Sequence, residues 1–350
     1  MSKLRITWAM HNEVIAMGNA FGYTAASVNM RDAMLRRGDV EIDDDAPIAV
    51  HLCHPWTYRP DRRPFQRNVH FTMYELDPCP PEFPATFGQS DAILAPCRWV
   101  ADLFKKTPLP EGVKRPPILV SPLGFDPERY PIVDREPPAA TEDDPFVWLW
   151  IGAANERKGF KVLTEEWFAF KDFPWMLLYM KTTRHDPTTG AARSFRKNNV
   201  IYDERMLPRA DLHKLYSQAH GFVFPSFGEG FGLTSLEASA TGLPQVTIKH
   251  SGMADFLADR SGVRFVPFEP FPVGTSQGHR ATGARTLPGQ LGQSMIDVMR
   301  NYRVYRQEAR RGAVRLHNAW TWDHAAEKLV RNLRELEGLW KRQRRGQRAA

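Results

Sequence analysis

Glu229 and Glu237 flank the run Gly230-Phe-Gly-Leu-Thr-Ser-Leu236, eight positions apart. An ionised carboxylate only accepts hydrogen bonds, so such a pair suits a ligand with hydroxyls at two ends. Upstream, Phe222 to Phe224 is an apolar run that reads as a buried strand, closed by Pro225 and Ser226. Gly228, Gly230 and Gly232 free the backbone to turn and to approach a ligand closely. Leu233 to Thr241 then reads as a helix stopped by Gly242 and Pro244. Its first N–H groups and positive dipole end make the mouth of the loop a natural phosphate site. Either Glu alone reads first as a solvated surface charge. The combination, two carboxylates around a phosphate-ready helix start, points to a phosphorylated polyol.

A second loop carries cations. Phe146 to Ile151 is a continuous apolar strand of the kind covered on both faces, and it runs into Gly152-Ala-Ala-Asn-Glu-Arg-Lys-Gly159 and a helix. Arg157 offers a forked contact and Lys158 a point charge to a diphosphate. The plain alternative is an exposed pair at a helix start.

Glu-Gly-Phe-Gly-Leu-Thr-Ser-Leu-Glu, preceded by Phe-Pro-Ser, resembles the Glu-x7-Glu signature of the retaining family 4 glycosyltransferases, which are α/β proteins of the GT-B fold with two Rossmann-like domains facing across a cleft. The resemblance implies that Glu229 holds sugar hydroxyls and Glu237 ribose hydroxyls. It also implies that backbone groups from Gly230, Phe231 and Gly232 to Leu233 and Thr234 take the distal phosphate. The family's Gly-Arg-Leu-x3-Lys-Gly pattern is matched at Gly152, Lys158 and Gly159. Ala153 replaces its Arg, and Arg157 stands nearby as a substitute.

The resemblance covers most of the chain. Val69-His-Phe-Thr-Met-Tyr-Glu-Leu-Asp77 reads as a strand with Glu75 at its carboxyl end, where many family members carry a His that touches the donor sugar; a carboxylate there would accept a proton or hydrogen bond from an acceptor. Asp203-Glu-Arg-Met-Leu-Pro-Arg-Ala-Asp-Leu-His213 is similar to the loop that cradles the nucleobase, which nominates Met206. Gly22 closes a glycine loop after the first strand, Leu4 to Trp8, and joins the donor-site candidates. Gly18 to Gly22 is not a Gly-x-Gly-x-x-Gly fingerprint. The implied co-substrate is a UDP- or GDP-linked sugar, with no cofactor and no metal. The implied acceptor is a glycan or lipid-linked sugar. Modified DNA is the alternative, and a binding module that has lost its chemistry is a third reading.

Composition bounds these readings. The 350 residues have room for two domains, and 42% hydrophobic with 25% charged residues is an ordinary globular balance. No apolar run approaches a bilayer span and the start lacks an apolar signal core, so a cytoplasmic, unanchored chain is expected. Cys53, Cys79 and Cys97 lack any Cys-x2-Cys pair, which disfavours a disulfide framework or structural zinc. Asp43-Asp44-Asp45 reads as a solvated turn rather than a metal site. The net charge of +7 is local: residues 300 to 350 hold fourteen Lys or Arg against five Asp or Glu, a net of +9, leaving 33 against 35 elsewhere. That excess, ending in Lys341-Arg-Gln-Arg-Arg-Gly-Gln-Arg348, could meet an anionic partner or lie solvated.

Four parts are expected: an acceptor-side domain over 1–135, a Pro-rich linker over 136–145, a donor-binding domain over 146–320, and a helix over 321–350 crossing back with its basic tail. A helix is expected over Thr24 to Arg37, further strands over Ile48 to Leu52, Trp175 to Met180, Asn199 to Tyr202 and Gln245 to Ile248, and a long insertion over 269–290, which is rich in Gly, Pro and Ser. His54, at a strand end, is more readily structural than catalytic, and Asp323 is the expected cap of the last helix.

Overall fold

The computed structural model describes residues 3–9, 22–61, 63–182, 194–205, 207–274 and 278–349. The chain divides into two compact units, one formed by Met1–Tyr74, Pro78–Gly124 and Trp320–Ala350, the other by Glu75–Asp77 and Phe125–Ala319.

The first unit is built on a six-stranded sheet in the order β2-β1-β3-β4-β5-β6. Its strands are β1 (Leu4–Ala9), β2 (Val40–Ile42), β3 (Ile48–Leu52), β4 (Arg67–Phe71), β5 (Ala92–Ala95) and β6 (Ile118–Val120), and every pairing is parallel. All residues of β3 and β5 are buried, as a sheet covered on both faces requires. Helices α1 (Gly22–Leu35), α2 (Phe83–Phe87) and α3 (Arg98–Lys106) connect the strands.

The second unit holds seven strands in the order β13-β12-β11-β7-β8-β10-β9. These are β7 (Phe146–Ile151), β8 (Met176–Lys181), β9 (Ser194–Lys197), β10 (Val200–Asp203), β11 (Gly221–Phe224), β12 (Gln245–Thr247) and β13 (Val263–Phe265). Only the edge strand β9, which the sequence reading did not anticipate, runs antiparallel to its neighbour. Trp148, Trp150, Phe222 and Phe224 fill the core along the central strands β7 and β11. The helices are α4 (Phe160–Trp167), α5 (Arg209–Gln218), α6 (Leu233–Ala240), α7 (Gln290–Arg300) and α8 (Tyr302–His317).

Several boundaries and elements differ from expectation. Within the expected insertion, β14 (Phe268–Gly274) and β15 (Arg280–Thr286) pair as an antiparallel hairpin that the sequence reading did not name. Pro270 and Pro272 obscured it in the sequence, yet a two-stranded ribbon has free edges on which proline costs no ladder bond. Glu75 does not end a strand, because β4 stops at Phe71 and the chain leaves the sheet before Glu75. The last helix, α9 (Trp322–Ala349), is capped by Thr321, whose hydroxyl oxygen accepts from the His324 amide. Asp323 lies inside its first turn, where it pairs with Arg36.

Helix α9 belongs to the first unit and packs along α1, burying Leu329, Leu333, Leu336 and Trp340. The C-terminal charge excess is therefore shared between α8 in one unit and α9 in the other. The three cysteines are buried and free. Arg5 and Arg63 neutralise Asp43 and Asp45, so the triple-Asp turn is a salt-bridged surface feature. No described helix is long and apolar enough to cross a membrane.

Candidate functional site

The candidate residues converge within the second unit, at the carboxyl ends of β7 and β11, the place where ligands bind in open α/β sheets. After Ile151 the chain turns at Gly152 and reaches Gly159, which adopts φ +69 and caps α4. A side chain at Gly159 would run into the Pro225 carbonyl, so glycine is required both by the backbone angle and by close packing on the end of β11. This contact sets Arg157 and Lys158 beside the Glu229 loop.

The Lys158 ammonium lies 2.7 and 2.9 Å from the two carboxylate oxygens of Glu229. Arg157 donates to the Gly228 carbonyl at 2.7 Å and to Glu229 Oε1 at 3.3 Å, and its other terminal nitrogen lies 3.6 Å from Glu75. The Ser226 hydroxyl also donates to Glu229. Two cations and two carboxylates thus form one interlocked cluster. Neither plain alternative fits this geometry: Glu229 is buried, and Arg157 and Lys158 are half-buried and paired.

Burial alone would raise the Glu229 pKa, but Lys158, Arg157 and the Ser226 hydrogen bond outweigh it and hold the carboxyl below its ordinary range. Burial pushes Lys158 below the ordinary lysine range, with Glu229 opposing. Most of the acceptor capacity of Glu229 is thereby taken by the protein's own donors. Three of these donors fall on Oε1, and Oε2 accepts from Lys158 alone among the described residues, so the carboxylate orients the cations and keeps an acceptor position on Oε2.

Glu75 reaches the cluster through a device invisible in the sequence. The Asp77 amide donates to Thr282 O at 3.1 Å and the Thr282 amide donates back at 2.6 Å, which ties the Glu75–Asp77 segment to β15. The Ala284 amide donates to Phe227 O at 2.7 Å, so the same strand holds the Glu229 loop. A Cβ at Gly283 would lie 2.7 Å from Phe227 O and 3.0 Å from the Leu76 side chain. The hairpin therefore sets the spacing between Glu75 and Glu229.

The phosphate-ready helix is α6. Gly232 caps it with φ +96 and offers no side-chain acceptor to the first-turn amides. A Cβ at Gly232 would stand 3.7 Å from Glu229 Cβ, which places the helix start against the charged cluster. Leu233 and Thr234 are half-buried in its first turn, and Thr234 Oγ1 is a buried hydroxyl without a partner among the described residues. Glu237, a turn later, accepts from the buried Tyr216 hydroxyl at 3.0 Å. The Phe231 ring packs against Phe256, and the Glu229 amide donates to Ser251 at 2.9 Å.

Three expectations lie elsewhere. Gly22 opens α1 in the first unit, with open space where a Cβ would stand. Met206 lies outside the described residues. His54 stacks on Trp56 with centroids 4.0 Å apart and accepts the Trp56 amide, and burial lowers its pKa to about 4. The sequence reading missed Ser226, Ser251 and Tyr216, whose roles are set by contacts between distant segments. It also missed the cluster at the ends of β8 and β10, where buried Asp203 accepts from Tyr179 at 2.6 Å and from Arg205. Among the described residues no three His, Cys, Asp or Glu side chains converge as metal ligands.

Residues 195–329 match the sequence profile described as family 4 glycosyltransferase in conflict systems. The fold is GT-B, and the likeness to family 4 glycosyltransferases is carried by residues 195–329. Among curated relatives, this chain is 25% identical over 234 residues to mannosylfructose-phosphate synthase of Agrobacterium fabrum, spanning 63% of this chain and 48% of the relative. The O-antigen chain mannosyltransferase B of Escherichia coli is 43% identical over 124 residues, 32% of this chain and 30% of that protein. The chain thus spans about half or less of the length of these relatives. Among solved structures, the HepE protein of Anabaena in complex with UDP and glucose aligns over 95% of this chain and 99% of its own, with a TM-score of 0.62 at 11% identity. The sucrose-phosphate synthase of Thermosynechococcus elongatus aligns over 91% and 79%, with a TM-score of 0.61 at 14% identity.

Proposed function

We propose that the protein transfers a sugar from a nucleotide diphosphate-sugar, UDP- or GDP-linked, to a hydroxyl of a glycan or glycoconjugate, with retention at the anomeric carbon and without a metal. The observation that carries this reading is the uncapped start of α6 standing against the cluster of Arg157, Lys158 and Glu229. In this reading the first-turn amides of Leu233 and Thr234 take the distal phosphate. Arg157 and Lys158 stabilise the charge that builds on the diphosphate as the bond from the anomeric carbon to its oxygen breaks. They can act without reorganising because Glu229 and the Gly228 carbonyl already hold them in place.

The acceptor oxygen forms the new bond to the anomeric carbon, and its proton passes to Glu75 or to the departing phosphate oxygen. Glu237, oriented by Tyr216, holds the ribose hydroxyls. UDP in the structures of HepE and of the pneumococcal O-GlcNAc transferase GtfA agrees with a nucleotide donor here.

The test is a thermal-shift screen of UDP, GDP, ADP and their common sugars against the native chain and Glu237→Ala. Binding to the folded state raises the melting temperature by mass action. A rise with one nucleotide that the variant loses supports the donor site and identifies its base. A flat response to the whole panel at millimolar ligand overturns it.

A further inference from the structure

The end of α9 belongs to the first unit, and none of its residues takes part in the candidate site. Trp340 is buried, at 6% exposure, and Lys341 to Arg345 are all exposed while the helix continues to Ala349. From Lys341 onward the sequence holds five Lys or Arg and no Asp or Glu. At about 100° per residue, positions 341, 342, 344 and 345 fall within an arc of about 160°, with Gln343 on the other side. The stretch is therefore a rod with one cationic face, beyond the buried Trp340. The pair between Lys341 and Glu337, 2.9 Å apart on the surface, offsets little of this charge.

We propose that this segment binds duplex DNA through its phosphate backbone. A helix with side chains is about 10–12 Å across, the width of a major groove of about 12 Å. The five charges are spread over a rise of about 10 Å, facing a polymer with one phosphate per about 1.7 Å of axis. Four of the five cations are arginines, whose forked donors match phosphate oxygens. A membrane surface fits less well, because residues 341–350 hold no apolar side chain larger than alanine to insert. The inference is independent of the sugar-transfer reading.

The test is fluorescence anisotropy of the full chain on a labelled duplex of about 25 base pairs, at about 50 to 200 mM salt. It is compared with the variant Lys341→Gln, Arg342→Gln, Arg344→Gln, Arg345→Gln, Arg348→Gln, whose changes all lie beyond Trp340. The full chain is expected to lose affinity a few hundred-fold across that range, a log–log slope of about −4 to −5. The variant is expected to bind at least about tenfold more weakly at the low-salt end, with a slope shallower by about four. Equal affinity and slope for the two proteins overturns the proposal. So does tighter partition of the full chain onto phosphatidylserine vesicles than onto DNA at equal phosphate concentration, which assigns the segment to membranes.

Discussion

Lys158 closes on both carboxylate oxygens of Glu229, at 2.7 and 2.9 Å, across a gap of 71 positions in the chain. Both side chains are largely withdrawn from water, at 16% and 8% exposure. Removing one partner leaves a buried charge uncompensated. Lys158→Ala should destabilise the protein by about 3 kcal/mol in urea denaturation and reduce donor turnover at least about 100-fold. Lys158→Met combined with Glu229→Gln should recover most of the stability and none of the turnover. A double variant as unstable as the single one would contradict the pairing.

The hairpin of β14 and β15 is expected to matter to turnover more than to stability. Gly283→Ala must displace either Phe227 O, 2.7 Å from the new methyl, or the Leu76 side chain. Both neighbours lie next to the charged cluster. Donor hydrolysis should fall at least about tenfold while the nucleotide-induced thermal shift is retained, because a small misplacement of reacting groups costs rate before it costs binding. Native kinetics in this variant would show that the hairpin does not set the spacing of Glu75.

Tyr216 should tune nucleotide affinity without being needed for folding. Its hydroxyl donates to Glu237 at 3.0 Å and its ring is buried. Tyr216→Phe keeps the packing and removes one hydrogen bond from the Glu237 carboxylate. Nucleotide affinity, measured by calorimetry, should weaken several-fold, about 1 kcal/mol, with little change in melting temperature. Unchanged affinity would remove Glu237 from the donor site.

Acid should weaken the fold through His54. Burial lowers its folded pKa to about 4 against an ordinary 6.5, so between these values the unfolded chain binds more protons than the folded one. Its contribution is complete above pH 6.5 and declines as pH falls toward 4, by up to about 3 kcal/mol. His54→Asn, which can still accept the Trp56 amide, should flatten the stability profile in that window. A profile as steep as the native one would assign the loss to other groups.

The sequence by itself determined the elements with strong local signals. Ile48–Leu52 and Phe146–Ile151 were legible to the residue as strands because short runs that are wholly or, with His51 the exception, largely apolar and bounded by turns have few other solutions. The helix from Leu233 was legible because Gly232, Gly242 and Pro244 mark its ends. The types of most charged residues in the candidate site were legible too, from the glycine-rich loops that carry them.

Only the tertiary structure decided what those charges face. The sequence around Glu229 did not reveal that Lys158, Arg157 and Ser226 all donate to its carboxylate. Glu75 could be read as a strand end until Asp77 was found paired with Thr282. The hairpin itself was hidden, since prolines argue against strands wherever the free edge is unknown. The physical reason is common to all three: periodicity and turn chemistry act between neighbours in sequence, whereas the protonation and orientation of a buried charge depend on partners 70 to 200 positions away.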